Sequence, residues 1–221
     1  MIREFKWLSA ALLILCLAGL LYGQPKSSPS PTPAPSPTTS TYATLLERAK
    51  KGDPTLDFQQ LRLAYTATSE YSPYGSDRDS RQKMFAALSA NEYANALEFA
   101  QKILAQNFLD LNGHFGAFIA HRELGHTDDA ARHKFLFEGL IHSIENSGDG
   151  KSPATAFVVI STDEEYVLLN WRGLRATGQA LINQDGHSYD RMTALNPKTN
   201  ETVSYYFNID KPFNWLGKSL K

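Results

Sequence analysis

The stretch SGDGKSPATAFVVIS, residues 147–161, divides the chain into two parts with different sequence patterns. Before it, over residues 42–146, apolar residues recur every three or four positions, which is typical of amphipathic helices. After it, over residues 147–221, short runs rich in Val, Ile, Tyr and Phe alternate with turn residues, which predicts β-strands. We therefore expect a single α+β globular domain over residues 42–221, with a helical part followed by a sheet part.

The sheet part contains about five apolar runs with turn residues between them, for example Asp185-Gly186 and Asn196-Pro197. Connections this short indicate an antiparallel meander. A closing helix over residues 212–220 offers Phe213, Trp215 and Leu216 as a cover for the sheet. The predicted strands are residues 155–161, 165–171, 176–183, 188–195 and 202–209.

The helical part contains two predicted helix–turn–helix units with a repeated spacing. Asn91 and Gly125 are turn residues 34 positions apart, and Ala96 and Ala130 have the same separation. This period resembles the tetratricopeptide repeat, in which a small residue lets two paired helices approach closely. Fewer than three such units do not form a stable solenoid, so we expect the helical hairpins to pack on the sheet part.

The N-terminal segment has the order of an export signal. Arg3 and Lys6 precede an apolar run over residues 8–22, and residues 24–41 are rich in Pro, Ser and Thr. The run is shorter than the roughly 18–20 residues of a membrane-spanning helix. Residues 1–23 are therefore a cleaved signal peptide or a retained N-terminal membrane anchor, and residues 24–41 are a disordered stalk. Both alternatives predict an exported protein, either periplasmic or extracellular.

The composition of the chain excludes several classes of function. The 22 Lys and Arg residues nearly balance the 23 Asp and Glu residues, and no basic cluster is present, so nucleic acid is not an expected partner. The single cysteine, Cys16, lies in the apolar N-terminal run. Once that run is removed, the protein has no disulfide, cysteine-ligated metal or thiol catalysis.

Three motifs resemble an uncharacterised family of bacterial domains that occur behind export signals, a "domain of unknown function" family. These motifs are SGDGKSPATAF at residues 147–157, EEY at 164–166 and YYFNI at 205–209, and the helical region around His133 is similar as well. The resemblance covers most of residues 42–221. It implies a shared fold and an exported setting, and it implies no particular activity.

Sequence motifs for nucleotide, calcium and zinc binding are incomplete. The GDGKS run lacks the glycine that a phosphate-binding loop has five residues before GKS, so we interpret it as a tight turn in which Asp149 accepts backbone hydrogen bonds. Asp149 is the only carboxylate in this loop, too few for an EF-hand. His121 and His126 are five residues apart, whereas the zinc-protease helix spaces its histidines by four. We therefore expect no metal and no cofactor.

The remaining candidates are polar residues near the predicted junction of helices and sheet. Alternation in the 165–171 run predicts that Glu165 is buried, with His133 or Lys151 as its partner, whereas Glu164 is expected in a solvated turn. We take His133, Asp149, Lys151 and Glu165 as candidate binding residues and assign no catalytic residue. The sequence favours a non-catalytic envelope domain that binds a protein, peptide or glycan. The alternative is an envelope hydrolase that uses His133 with Asp149 or Glu165.

Overall fold

The computed structural model describes residues 39–75 and 77–219. The predicted signal peptide or anchor, and the predicted stalk up to residue 38, lie outside the described residues. Residues 39–41, which the sequence predicts to be stalk, belong to the first helix. Among the described residues, no helix has the length and apolar character that crossing a membrane requires.

Six helices form the first part of the described chain, as the apolar periodicity predicts. Asp57, Asp77 and Asp110 stand just before three of them, and each carboxylate accepts the backbone N–H three residues later at 2.8–2.9 Å. The helices are α1 (Thr39–Lys50), α2 (Phe58–Tyr65), α3 (Arg78–Ser89), α4 (Tyr93–Gln106), α5 (Leu111–Glu123) and α6 (Thr127–Glu145).

The two predicted turns of the helical part are present. Asn91 lies in the α3–α4 connection with a φ of 60°, and Gly125 lies in the α5–α6 connection with a φ of 77°. Ala96 and Ala130 are buried at the start of the helices that follow. Helix–turn–helix geometry thus recurs at the predicted spacing, while the likeness to the tetratricopeptide repeat itself stays a prediction.

The sheet contains four strands, not five, and it is mixed. Strand β1 (Phe157–Val158) is parallel to β4 (Thr202–Asn208), with Phe157 opposite Phe207. Strand β3 (His187–Leu195) pairs antiparallel with β4 and with β2 (Arg175–Gln184), which gives the order β1-β4-β3-β2. The α+β class is confirmed, whereas the prediction of a wholly antiparallel five-stranded meander is wrong.

Residues 165–171 lie in a helix, α7 (Thr162–Trp171), so the predicted second strand is wrong. Ser161 stands at the N-cap position, and three acidic residues occupy the first turn, where the partial positive charge of the helix N-terminus stabilises them. The buried residues are Glu164, Glu165, Leu168 and Leu169, which is a helical spacing and not the alternation of a strand.

The predicted first strand is also shorter than expected. Residues 153–155 form one turn of 3₁₀ helix, and β1 is limited to two residues because the chain then turns into α7. The closing helix, α8 (Asp210–Ser219), is present as predicted. Its Phe213 and Leu216 are exposed, so of the three predicted covering residues Trp215 is the one that packs against the core.

Helices and sheet share one hydrophobic core. Leu61 of α2 and Ile141 of α6 belong to the same buried cluster as Met192 of β3 and Phe207 of β4. Close packing in this core depends on Gly139, because a Cβ at this position of α6 would overlap the ring of Phe58.

Candidate functional site

Asp149 and Lys151 lie in the exposed turn that the GDGKS run forms. The Asp149 carboxylate accepts the backbone N–H of Lys151 at 3.0 Å, and hydrogen bonding from Thr155 lowers its pKa. Gly150 has a φ of 68°, and its carbonyl accepts the N–H of Tyr206 at 2.7 Å. The interpretation as a tight turn is confirmed: Asp149 accepts a hydrogen bond within the turn, and Gly150 connects the turn to β4.

Glu165 is buried as predicted, with neither His133 nor Lys151 beside it. Its side chain is 0% exposed, and no hydrogen-bond donor of the described residues bonds to either carboxyl oxygen. The partner within reach is the Asp190 carboxylate, to which Glu165 donates when it is protonated. Burial, and then the negative charge of Asp190, raise its pKa to about 9. Glu165 is therefore a neutral carboxylic acid at pH 7, and it faces a second carboxyl group.

Asp190 belongs to a short chain of polar contacts at the edge of the sheet. Its Oδ2 accepts a hydrogen bond from Gln179 Nε2 at 2.7 Å, and the hydroxyl of Tyr166 donates to Gln179 Oε1 at 3.2 Å. Burial raises the pKa of Asp190. These contacts join α7 to β2 and β3, and the carboxyl pair stands at the helix–sheet junction.

His133 belongs to a cluster of four histidines from α5, α6 and the connection between these two helices. Its Nδ1 is 3.0 Å from Nδ1 of His114, and its ring stacks on that of His121 at a centroid distance of 5.5 Å. His121 Nδ1 is in turn 3.2 Å from His126 Nδ1. His114 Nε2 donates to the carbonyl of Phe108 at 2.7 Å, so its Nδ1 is the acceptor in the pair with His133.

Burial keeps the inner histidines of this cluster neutral. It lowers the pKa of His114 to about 3 and that of His133 to about 4, with a further contribution from the neighbouring histidine in each case. Within the described residues, no group of three or more His, Cys, Asp or Glu side chains is arranged to hold a metal ion. The cluster is a packed, hydrogen-bonded layer between α5 and α6.

The four predicted binding residues therefore lie in three separate places. Asp149 and Lys151 share the turn, Glu165 faces Asp190, and His133 packs among histidines. No contact among the described residues joins these groups, so the geometry that a hydrolase would need from His133 with Asp149 or Glu165 is not formed.

Glu164 is part of a buried ion pair and does not lie in a solvated turn, so that expectation is wrong. Arg62, which is 1% exposed, donates from Nε and Nη2 to the two Glu164 oxygens at 3.0 and 2.6 Å. It also donates to the Val158 carbonyl at 2.9 Å and to the Ser143 hydroxyl at 3.2 Å. This pair connects α2, α6, β1 and α7, and it has a structural role.

A cavity of about 240 Å³ opens where α3, α5, α6 and α7 meet. We call it the aromatic groove. The ring of Phe137 contacts Phe115 and Trp171 at centroid distances of 5.5 Å each, and Trp171 is 44% exposed. None of the residues that line the groove is charged. They are Phe85, Asn112, Phe115, Phe137, Val167, Asn170 and Trp171.

Two amides give the aromatic groove its polar character. Asn112 lies in the first turn of α5 and Asn170 in the last turn of α7, and no hydrogen bond occupies either side-chain amide within the described part of the chain. Each amide can both donate and accept. The groove thus combines apolar surface with two free hydrogen-bonding groups, which is a common composition of binding sites.

The aromatic groove has no continuous signal in the sequence. Its residues come from four helices that are far apart in the sequence, and α7 was predicted to be a strand. The signal that could have found it is the helical reading of residues 162–171, which places Val167, Asn170 and Trp171 on one face.

Comparison with known families gives a match over most of the chain. Residues 36–217 match the profile of a domain of unknown function, DUF4919, and the chain belongs to this family. The predicted membership of a domain-of-unknown-function family is thereby confirmed. No curated protein and no solved structure matches the chain significantly.

Proposed function

We propose that this protein is a non-catalytic binding protein of the cell envelope, and that the aromatic groove holds an uncharged segment of a peptide or protein. The observation that carries the proposal is the composition of the groove. Four aromatic side chains surround a cavity of about 240 Å³, and two asparagines at its rim have free amides.

The chemistry of the groove favours a peptide over the other ligands that we considered. Because no charged residue lines it, a phosphate or a sulfated glycan would find no counter-charge. The cavity is large enough for one or two apolar side chains, and the Asn112 and Asn170 amides can pair with a peptide backbone. Exposed tryptophan is also the residue type that most often dominates binding energy.

The cellular setting rests on the N-terminal sequence. Arg3 and Lys6 before an apolar run, followed by a proline-rich stalk, support export and tethering at the envelope. In this setting residues 8–22 are either removed when the signal peptide is cleaved or retained as a single membrane anchor.

An envelope hydrolase remains the alternative proposal, and the carboxyl pair of Glu165 and Asp190 is the observation in its favour. A neutral acid beside a carboxylate is the arrangement that acid–base hydrolysis uses. Glu165 is 0% exposed, however, and it does not line the aromatic groove, so a substrate would not reach its oxygens. Binding is therefore the better-supported function.

The test is a selection of random peptides displayed on phage against the immobilised full-length protein. We expect enriched peptides that share a large apolar residue and bind with a micromolar Kd. Replacing Trp171 by Ala should weaken their binding at least about tenfold, because loss of a central aromatic anchor in an interface costs about 2 kcal/mol or more.

The matched control uses two phenylalanines with similar exposure, 36% for Phe85 in the groove and 39% for Phe213 on α8. Phe85→Ala should weaken binding of the selected peptides, whereas Phe213→Ala should leave it unchanged. No enrichment, or binding that survives both Trp171→Ala and Phe85→Ala, would contradict the proposal.

A further inference from the structure

We propose that the outer edge of β2 is a homodimer interface, at which β2 of one copy pairs antiparallel with β2 of a second copy to form a continuous eight-stranded sheet. This inference is independent of the aromatic groove. It concerns a surface on another side of α7, and neither proposal requires the other.

Strand β2 is an edge strand whose pairing with β3 is regular from Gly178 onwards, because its irregularity lies near the start, between Ala176 and Gly178. In the sheet order β1-β4-β3-β2 it pairs with β3 alone, and no other backbone segment among the described residues bonds to it. Natural edge strands are typically short, charged or interrupted by proline, because a free edge invites pairing. This strand has ten residues, and residues 176–184 contain neither a charge nor a proline.

The hairpin turn shows which backbone groups of β2 are free. Asp185 and Gly186 have φ values of 52° and 80°, which is a two-residue type I′ turn. Such a turn is closed by a hydrogen-bonded pair, here Gln184 and His187, which are opposite each other in the register. Since the bonding alternates along an antiparallel ladder, Gln179, Leu181 and Asn183 direct their N–H and C=O groups outwards.

The side chains at this edge are complementary to themselves. In an antiparallel pairing centred on Leu181, Leu181 meets Leu181 of the second copy, and Gln179 meets Asn183. The two leucine side chains thus lie against each other. The Gln179 amide keeps its bonds to Asp190 and Tyr166, and Asn183, whose Oδ1 accepts from Ser188, brings its Nδ2 group beside it. Leu181 is 53% exposed, more than any other large apolar side chain in the described part of the chain.

Charge at the two ends of β2 favours a second copy over an unrelated strand. Arg175 is the first residue of β2, and Asp185 follows its last residue. Antiparallel pairing centred on Leu181 places Arg175 of each copy two residues, about 7 Å along the strand, from the position opposite Asp185 of the other copy, so opposite charges lie near each other at both ends. A strand that complements itself in this way forms an isologous interface around a two-fold axis.

Cysteine cross-linking tests the pairing and its register. In a full-length Cys16→Ser background the chain has no cysteine. Leu181→Cys places two cysteines opposite each other at about 5.5 Å between Cα atoms, within the range of a disulfide. Asn183→Cys is the control on the same strand and face, because its two copies would be about 13 Å apart.

We expect mild oxidation to convert Leu181→Cys to a covalent dimer and to leave Asn183→Cys monomeric. Sedimentation of the cysteine-free protein should show a concentration-dependent dimer. Leu181→Lys should abolish it, whereas Leu124→Lys, at another exposed leucine, should not. A protein that sediments as a monomer up to 100 µM, or equal cross-linking of both cysteine variants, would overturn the proposal.

Discussion

At the scale of single residues, the most consequential feature is the protonated Glu165. The sequence predicted its burial but not its neighbour, because the contact with Asp190 depends on how α7 lies against β3. Burial of this acid links folding to proton binding, since the folded protein holds a proton that the unfolded chain releases near pH 4.5.

This linkage predicts a specific dependence of stability on pH. The folded pKa of Glu165, about 9, lies above its unfolded value, so the stability from this group is fully present below about pH 4.5 and is lost as pH rises towards 9. The free energy of unfolding should fall by up to about 1.4 kcal/mol per pH unit across this window. The raised pKa of Asp190 acts in the same direction.

Urea denaturation of Glu165→Gln at pH 5, 7 and 8.5 checks this prediction. The variant keeps a neutral side chain of the same shape, so its stability should decline less with pH, and at pH 8.5 it should exceed that of the wild type. Glu98→Gln is the control, because Glu98 is exposed and Lys102 lowers its pKa. An unchanged pH slope in Glu165→Gln would contradict the assignment.

At the scale of elements, helix α7 shows what the sequence can and cannot reveal. Strands β2, β3 and β4 were predicted because alternation and turn residues agree there. The run EEYVLLNW is short and apolar, and such a run fits a strand or a buried helix equally well. The feature that favours a helix over a strand here is the helix-start signal, in which Ser161 is followed by Asp163, Glu164 and Glu165. The parallel pairing of β1 with β4 has no local signal at all.

The buried Arg62–Glu164 pair fixes α7 to the core, so breaking it should lower the free energy of unfolding. Glu164→Gln leaves the Arg62 charge buried without a counter-charge, which typically costs about 3–5 kcal/mol. We expect a loss of this size in urea denaturation. The double variant Arg62→Met, Glu164→Gln should recover part of the loss, because it leaves no buried charge unpaired.

Glu145→Gln provides the comparison for this pair. Its partner Arg172 lies at 3.1 Å, but both side chains are about one quarter exposed, so the loss should stay below about 1 kcal/mol. If Glu164→Gln costs no more than Glu145→Gln, the buried pair does not hold α7 as described.

At the scale of the whole molecule, different regions have different roles. The GDGKS turn, the histidine cluster and the Arg62–Glu164 pair have structural roles. The aromatic groove and the edge of β2 are the two surfaces that we propose to bind partners. The sequence could predict the first group in part, because turn and burial signals are local. It could not predict the surfaces, because each is defined by what neighbouring elements leave uncovered.

The most direct test of the central claim is nuclear magnetic resonance of the side-chain amides during titration with a selected peptide. If the aromatic groove is the binding site, the amide signals of Asn112 and Asn170 should shift and saturate together with binding. Signals of Gln179 and Asn183 on β2 should stay in place. Saturable binding that leaves the Asn112 and Asn170 signals unchanged would contradict the claim.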